Sequence, residues 1–216
     1  MSTITPQILL RAYSAGVFPM AESADDSALY WIEPDERGII PLDGLKVSRS
    51  LKKTVRRGEF TVKIDTDFAS VIGACAAKTG DRPSTWINER IVALYTQLHR
   101  MGFCHSVECW KGGQMVGGLY GVHIGAAFFG ESMFSRETDA SKVALVHLVA
   151  RLNAGGFRLL DAQFMNAHLE RLGAVPLAKK DFHPLLEMAI VEEADFLKFN
   201  SDNNADAVLA LACPQS

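Results

Sequence analysis

The chain has 216 residues, with 22 Lys plus Arg against 25 Asp plus Glu and a formal charge of −3. At 48% hydrophobic and 22% charged residues, it has the makeup of a globular protein that buries a substantial core as one large domain or two small ones, which excludes a disordered or fibrous chain. The near balance of charge excludes a surface that is basic all over. No apolar run approaches the roughly 20 residues that span a bilayer, and Met1 to Gln7 carry no basic residue ahead of an apolar stretch, so neither a membrane span nor a secretory signal is expected.

Thr5-Pro6 predicts the first helix, with Thr5 as cap, an apolar face of Ile8, Leu9, Ala12 and Tyr13, and a stop at Gly16. Val17 to Leu45 is rich in Pro and Gly and holds two apolar fragments, Leu29-Tyr30-Trp31 and Gly38-Ile39-Ile40, that read as short strands. Ser48 or Ser50 caps a short helix stopped by Gly58, and Phe60 to Ile64 alternates as a strand does. Asp65 or Asp67 caps a helix through about Ala77, and Gly80-Asp81-Arg82-Pro83 is a loop at which a domain boundary is placed, giving units 1–80 and 81–216. Asn88 begins an amphipathic helix with Ile91, Leu94, Tyr95 and Leu98 on one face and Gly102 as stop.

After Gly102 the period changes to extended. His105 to Trp110 and Met115 to Val122 form a hairpin about Gly112-Gly113, and Gly125 turns into a third strand, Ala126 to Gly130. Ser135 to Asp139 is a polar loop before a helix from about Ala140 to Asn153, stopped by Gly155-Gly156. Leu159 to Gln163 is a strand and Asn166 to Leu172 a short helix. Asp181 caps one more helix, and Asn200 to Asn204 is a polar, mobile tail. The cysteines Cys75, Cys104, Cys109 and Cys213 form no CxxC pair and no zinc template; without an export signal, reduced thiols are expected.

Three features bear on function. Lys46, Arg49, Lys52, Lys53, Arg56 and Arg57 lie within twelve residues that contain no acid. On a helix, Arg49, Lys52 or Lys53, and Arg56 share a face, as a phosphate-binding stripe does. The same pattern describes a solvated helix whose late cations suit its C-terminal dipole. Phe128-Phe129-Gly130-Glu131-Ser132 places a carboxylate after two aromatics at a strand end, either a ligand-recognition corner or a solvent edge. Asp161 and Gln163 stand two apart in a strand, hence on one face. An acid beside the apolar Leu159-Leu160 is paired or functional, or else caps the next helix. A P-loop, HExxH, GxSxG and GxGxxG are all absent, and the six histidines are scattered, so metal catalysis is not expected.

Several ordered motifs resemble one family: Ala12 to Pro19, Trp31 to Leu42 with Pro34, Arg37 and Pro41, Ser48 to Lys53, Thr85-Trp86-Ile87, His105 to Trp110, Val116 to Val122, Gly130 to Ser135, Ala140-Ser141-Lys142, Asp161-Ala162-Gln163 and Leu172-Gly173-Ala174. From about residue 4 to residue 187 the chain is similar to the leucyl/phenylalanyl-tRNA–protein transferases. It departs from that pattern at Met20, where others carry Trp, and at Ala162, where others carry Cys. The resemblance implies an α+β fold with an acetyltransferase-like (GNAT-like) C-terminal domain and a smaller mixed N-terminal domain. It implies a cytoplasmic enzyme, with no cofactor and no metal, that moves Leu, Phe or Met from aminoacyl-tRNA to the α-amino group of proteins beginning with Arg or Lys, marking them for N-end-rule degradation.

By the same resemblance, Asp161 and Gln163 are catalytic. Tyr13, Met20, Trp31, Leu119, Phe128, Gly130, Glu131, Leu145 and Leu148 contact substrate, and Lys46, Arg49, Lys52, Lys53, Arg56 and Arg57 contact tRNA. Asp161 or Glu131 meets the basic side chain of the acceptor. The competing readings are an acetyl-coenzyme A N-acetyltransferase, disfavoured because no pyrophosphate-binding loop precedes Ala140, and a non-catalytic RNA-binding module, disfavoured because no aromatic RNA-recognition motif is present.

Overall fold

The Thr5 hydroxyl accepts the Ile8 N–H and Pro6 occupies the first position of α1 (Pro6–Ser14), so the chain is helical from its first described residues. A computed structural model describes residues 4–26, 28–78, 80, 83–200 and 204–214. After α1 come β1 (Phe18–Met20), β2 (Tyr30–Ile32), β3 (Glu36–Ile39), α2 (Arg49–Arg57), β4 (Thr61–Ile64), α3 (Phe68–Ala76) and α4 (Glu89–Arg100). Then follow β5 (Cys104–Lys111), β6 (Gln114–Ile124), β7 (Ala127–Ser135), α5 (Ala140–Gly155), β8 (Leu159–Gln163), α6 (Ala167–Arg171), β9 (Val175–Ala178), α7 (Lys179–Val191) and α8 (Ala205–Ala212). Ser48, Asp67 and Asn88 cap α2, α3 and α4 by accepting the N–H of Leu51, Ser70 and Ile91.

The architecture is α+β. One seven-stranded sheet runs β4-β5-β6-β7-β8-β3-β9 and a two-stranded ribbon joins β1 to β2. Among the described residues every neighbouring strand pair is antiparallel except β7–β8. That parallel pair requires a crossover, which α5 supplies. α5 is buried along nearly its whole length, as a helix covering the middle of a sheet must be. Its first turn lies on the bare backbone of Gly117 in β6, where an added Cβ would stand 2.5 Å from Ala140 Cβ.

Strand alternation sends side chains to two cores. Val107 and Cys109 of β5, Leu119 of β6 and Phe128 of β7 join Leu51, Val55, Leu145, Leu148 and Val208 on one face. Tyr120, Val122 and Phe129 join Leu9, Tyr13, Ile72, Tyr95, Leu98, Phe182 and Leu186 on the other. Helices α2, α5 and α8 therefore cover one face, and α1, α3, α4 and α7 the other.

The structure adds elements to the sequence reading. β1 was not expected because Pro19 interrupts it; as part of a two-stranded ribbon it has no central ladder to break. β9 carries Pro176 and is an edge strand for the same reason. β7 continues through Ser135 rather than stopping at Gly130. α7 begins at Lys179, with Asp181 in its first turn instead of at the cap. Asn204, expected in a polar tail, caps α8 by accepting the Ala207 N–H; Ser201 to Asn203 lie outside the described residues, as do Thr79, Asp81 and Arg82 of the loop at which the boundary was placed. β3 and β4, both before residue 80, hydrogen-bond into the sheet built mainly after it. No disulfide links any of the four cysteines among the described residues, and all four are buried. Among those residues no helix is long and apolar enough to cross a membrane.

Candidate active site

The parallel ladder between β7 and β8 is short: Ala127, Phe128 and Phe129 pair with Leu159, Leu160 and Asp161. Beyond Phe129 and Asp161 the two strands part. Gly130 to Met133 on one side and Asp161 to Phe164 on the other then line a cleft of about 930 Å³. Its apolar wall includes Met20, Ile40, Leu119, Leu145, Leu148, Leu160 and Leu169, with Phe18 and Trp86 at its sides.

A bulge marks each strand at the parting. Tyr120 pairs with Ser132 and Gly121 with Gly130, so Glu131 is the extra residue of β7. Gly38 pairs with Gln163 and Ile39 with Asp161, so Ala162 is the extra residue of β8. A bulge re-aims a side chain out of the regular alternation, and here Glu131 is turned into the cleft wall. Gln163 also has a positive φ of 57°, uncommon for a residue with a side chain and worth of order 1–3 kcal/mol when imposed by surroundings. Asp161 and Gln163 therefore meet at the cleft through a bulge and a left-handed residue rather than through simple strand alternation.

Asp161 is fully buried. Its carboxylate accepts a fork from Arg37: Nε at 3.0 Å from Oδ1 and 3.2 Å from Oδ2, and Nη2 at 2.8 Å from Oδ2. Oδ1 also accepts the backbone N–H of Gln163 at 2.9 Å. Burial pushes the Asp161 carboxyl up, and the Arg37 fork and the Gln163 amide pull against it. Arg37 is itself buried, donates from Nη1 to the Gly16 carbonyl at 2.7 Å, and places its Cζ over the rings of Phe18 and Phe182, at 4.8 and 4.6 Å from their centroids. Gly16 ends α1 with a φ of 77°, a conformation that leaves its carbonyl turned to Arg37 and that a side chain would strain.

Glu131 Oε1 accepts the Tyr13 hydroxyl at 2.7 Å and the Gln163 amide Nε2 at 3.4 Å, and Oε2 accepts the Tyr95 hydroxyl at 3.2 Å. The two tyrosine hydroxyls are also in contact with each other; with one proton each, they donate in two of these three contacts at a time. Burial pushes Glu131 up to about 7, with the tyrosine hydroxyls pulling down and Asp161 adding repulsion. Burial drives Tyr13 and Tyr95 well above the ordinary phenol range, so both remain donors. His168, also in the wall, is held low by burial and then by Lys142 and Arg171, and presents a neutral imidazole.

Of the residues expected from sequence, Met20, Leu119, Gly130, Glu131, Leu145, Leu148, Asp161 and Gln163 line the cleft. Tyr13 lies behind the wall and reaches the site through Glu131. Phe128 is buried in the same core as Leu145 and Leu148, outside the cleft lining, and stacked on Phe196 at 5.5 Å. Trp31 is 41% exposed and pairs with Pro19 in the ribbon, outside the cleft lining. Lys46, Arg49, Lys53, Arg56 and Arg57 are exposed and Lys52 is half-buried, with Leu51 and Val55 facing the core. Arg56 pairs with Asp206 at 3.2 Å and Arg57 with Glu59 at 3.4 Å, surface contacts worth little in water. Sequence reasoning missed Arg37 and Tyr95 as site residues. Arg37 stood inside a quoted motif, and Tyr95 looked only like an apolar position of α4. Among the described residues no cluster of three or more His, Cys, Asp or Glu could hold a metal ion.

Residues 39–187 match the family described as leucyl/phenylalanyl-tRNA protein transferase, and residues 2–35 match its N-terminal domain. Proteins named leucyl/phenylalanyl-tRNA–protein transferase are similar along most of the chain. That of Rhodopseudomonas palustris BisB18 is 54% identical over 98% of this chain and 92% of its own length. That of Rhodospirillum rubrum is 59% identical over 91% of this chain and 92% of its own, and that of Rhizorhabdus wittichii is 58% identical over 88% and 77%. A cleft of this kind in a chain with these relatives defines a transferase enzyme. The chain belongs to the leucyl/phenylalanyl-tRNA–protein transferase family.

Proposed function

We propose that this enzyme transfers Leu, Phe or Met from aminoacyl-tRNA to the α-amino group of proteins beginning with Arg or Lys, in the cytoplasm, marking them for degradation by the N-end rule. The observation that carries the reading is the cleft itself. An apolar wall that suits a Leu or Phe side chain ends at a buried carboxylate, Asp161, a half-buried one, Glu131, and the Gln163 amide. The splay of a parallel strand pair after an antiparallel meander supports an acetyltransferase-like (GNAT-like) unit over residues 81–216, with residues 1–80 as the N-terminal unit. The basic stripe on and before α2, from Lys46 to Arg57, is the tRNA contact in this reading.

The donor is already an activated ester, so neither ATP nor a metal is needed. An α-amine with a pKa around 8 is roughly one-tenth neutral at pH 7. The enzyme's task is then to hold amine against carbonyl, which supplies on the order of 7–11 kcal/mol in well-oriented cases. Asp161 fixes the Gln163 backbone. The Gln163 side chain donates from Nε2 to Glu131, which leaves its carbonyl oxygen to accept an N–H of the incoming amine. Asp161 spends its oxygens on Arg37 and Gln163. Asp161 is fully buried, whereas Glu131 is half-buried in the cleft lining, so Glu131 is the carboxylate within reach of a substrate cation, whether the donor's ammonium or the acceptor's basic side chain.

Replacing Asp161 by Ala should cut the single-turnover rate of leucine transfer at least about 10²-fold, the scale of a lost orienting or acid–base group, while the Kd for Leu-tRNA changes less than threefold. Equal loss of both would assign Asp161 to folding alone.

A further inference from the structure

Between Asp161 and the first helix stands an arginine whose position is fixed from every side. Its fork closes on both Asp161 oxygens, its remaining Nη1 is spent on the Gly16 carbonyl, and its Cζ stands over the rings of Phe18 and Phe182. Arg37 is 2% exposed; it touches no open part of the cleft and does not line it. A planar, permanently charged fork of this kind imposes orientation as well as charge, which a lysine cannot do.

Asp161 in turn accepts the Gln163 N–H, and Gln163 holds a left-handed backbone that an ordinary residue leaves when its restraint is lost. Arg37 also sits in β3 between the strands that set this geometry. Its neighbour Gly38 pairs with Gln163 across the β8 bulge, and an added Cβ there would stand 3.1 Å from Met165 Sδ and 3.2 Å from Met165 N. The chain of contacts runs from the end of α1, through Arg37 and Asp161, to the amide that faces the substrates.

We infer that Arg37 is a positioning residue for the transfer reaction: by clamping Asp161, it keeps Gln163 in the left-handed conformation that presents its side-chain amide to the incoming amine. The inference rests on the proposed function and adds a residue that acts through Asp161 without touching substrate.

Four variants test it: Arg37→Ala, Arg37→Lys, Asp161→Asn and the double variant Arg37→Ala/Asp161→Asn, which removes both buried charges and so keeps the test open if Arg37→Ala alone fails to fold. Single-turnover transfer from Leu-tRNA to a peptide beginning with Arg, the Kd for Leu-tRNA, and amide hydrogen exchange at Gln163 are measured on each. Arg37→Ala and Arg37→Lys should each lose at least tenfold in rate, with the tRNA Kd within threefold of the parent. The double variant should be no slower than the slower single variant, because coupled residues are not additive. The Gln163 amide should exchange at least tenfold faster than in the parent, and millimolar guanidinium should restore part of the Arg37→Ala rate. Arg37→Lys at the parent's rate, losses that multiply in the double variant, or a Gln163 amide that stays protected in Arg37→Lys and the double variant would each overturn the inference. Because the exchange measurement needs no turnover, it stands even where the parent transfers no leucine, a result that would instead overturn the proposed function.

Discussion

Glu131 shows how much one inserted residue decides. As the extra residue of a bulge it leaves the strand's alternation, enters the cleft and meets three donors, yet burial still lifts it from 4.5 to about 7. A folded-state value above the unfolded one means that the folded chain binds more protons between those pH values. Stability from this group therefore falls as pH rises from about 4.5 to about 7. Glu131→Gln, which cannot ionise, should lose less stability than the parent between pH 5 and pH 8, by up to about 3 kcal/mol at 1.36 kcal/mol per unit. Urea unfolding across that range checks it, and equal slopes of stability against pH would contradict it. Met20 also lines the cleft. Met20→Trp should narrow the cleft and shift competition between Phe-tRNA and Leu-tRNA toward Leu by at least about 1–3 kcal/mol, the usual worth of one methylene in an apolar pocket. Asp161 and Glu131 were legible in the sequence as carboxylates beside apolar strand residues and Gln163 as sharing a strand face with Asp161, while their roles came from the family resemblance. Arg37 was not, since 124 positions separate it from Asp161 and no local rule reports that closure.

Elements with strong local signals were readable and those fixed by tertiary pairing were not. The caps at Thr5, Ser48, Asp67 and Asn88 and the stops at Gly16, Gly58 and Gly156 use side-chain and left-handed geometry that the sequence displays directly. β1 and β9 contain prolines that argue against strands until their ribbon and edge positions are known, and α8 begins at an Asn that in isolation looks like tail. The bulges at Glu131 and Ala162 leave no mark in a single sequence, because they are relations between strands. α2 belongs to this scale too: its inner face is Leu51 and Val55 and its outer face is cationic. Lys52→Ala with Arg56→Ala should weaken Leu-tRNA binding and make log K against log salt less steep by about 1–2, if each cation meets a phosphate. An unchanged slope would remove α2 from the tRNA interface.

At the scale of the whole molecule, the meander, crossover helix and following strand were all present in the pattern after Gly102, and they set the parallel pair whose parting opens the cleft. What the sequence pattern did not contain is how β3, from the first forty residues, enters that same sheet between β8 and β9. This places the catalytic candidates under the control of the N-terminal segment through Arg37 and Gly16. The fold brings an apolar wall, a carboxylate clamp and a separate cationic helix into one chain of small net charge, the features on which the proposed function rests. The measurement that tests this most directly is transfer of labelled leucine from Leu-tRNA to two peptides that differ only in their first residue. Label should pass to the peptide beginning with Arg at least about tenfold faster than to the one beginning with Ala, as expected when a charged partner is met by a buried carboxylate. Equal transfer to both, or none to either, would contradict it.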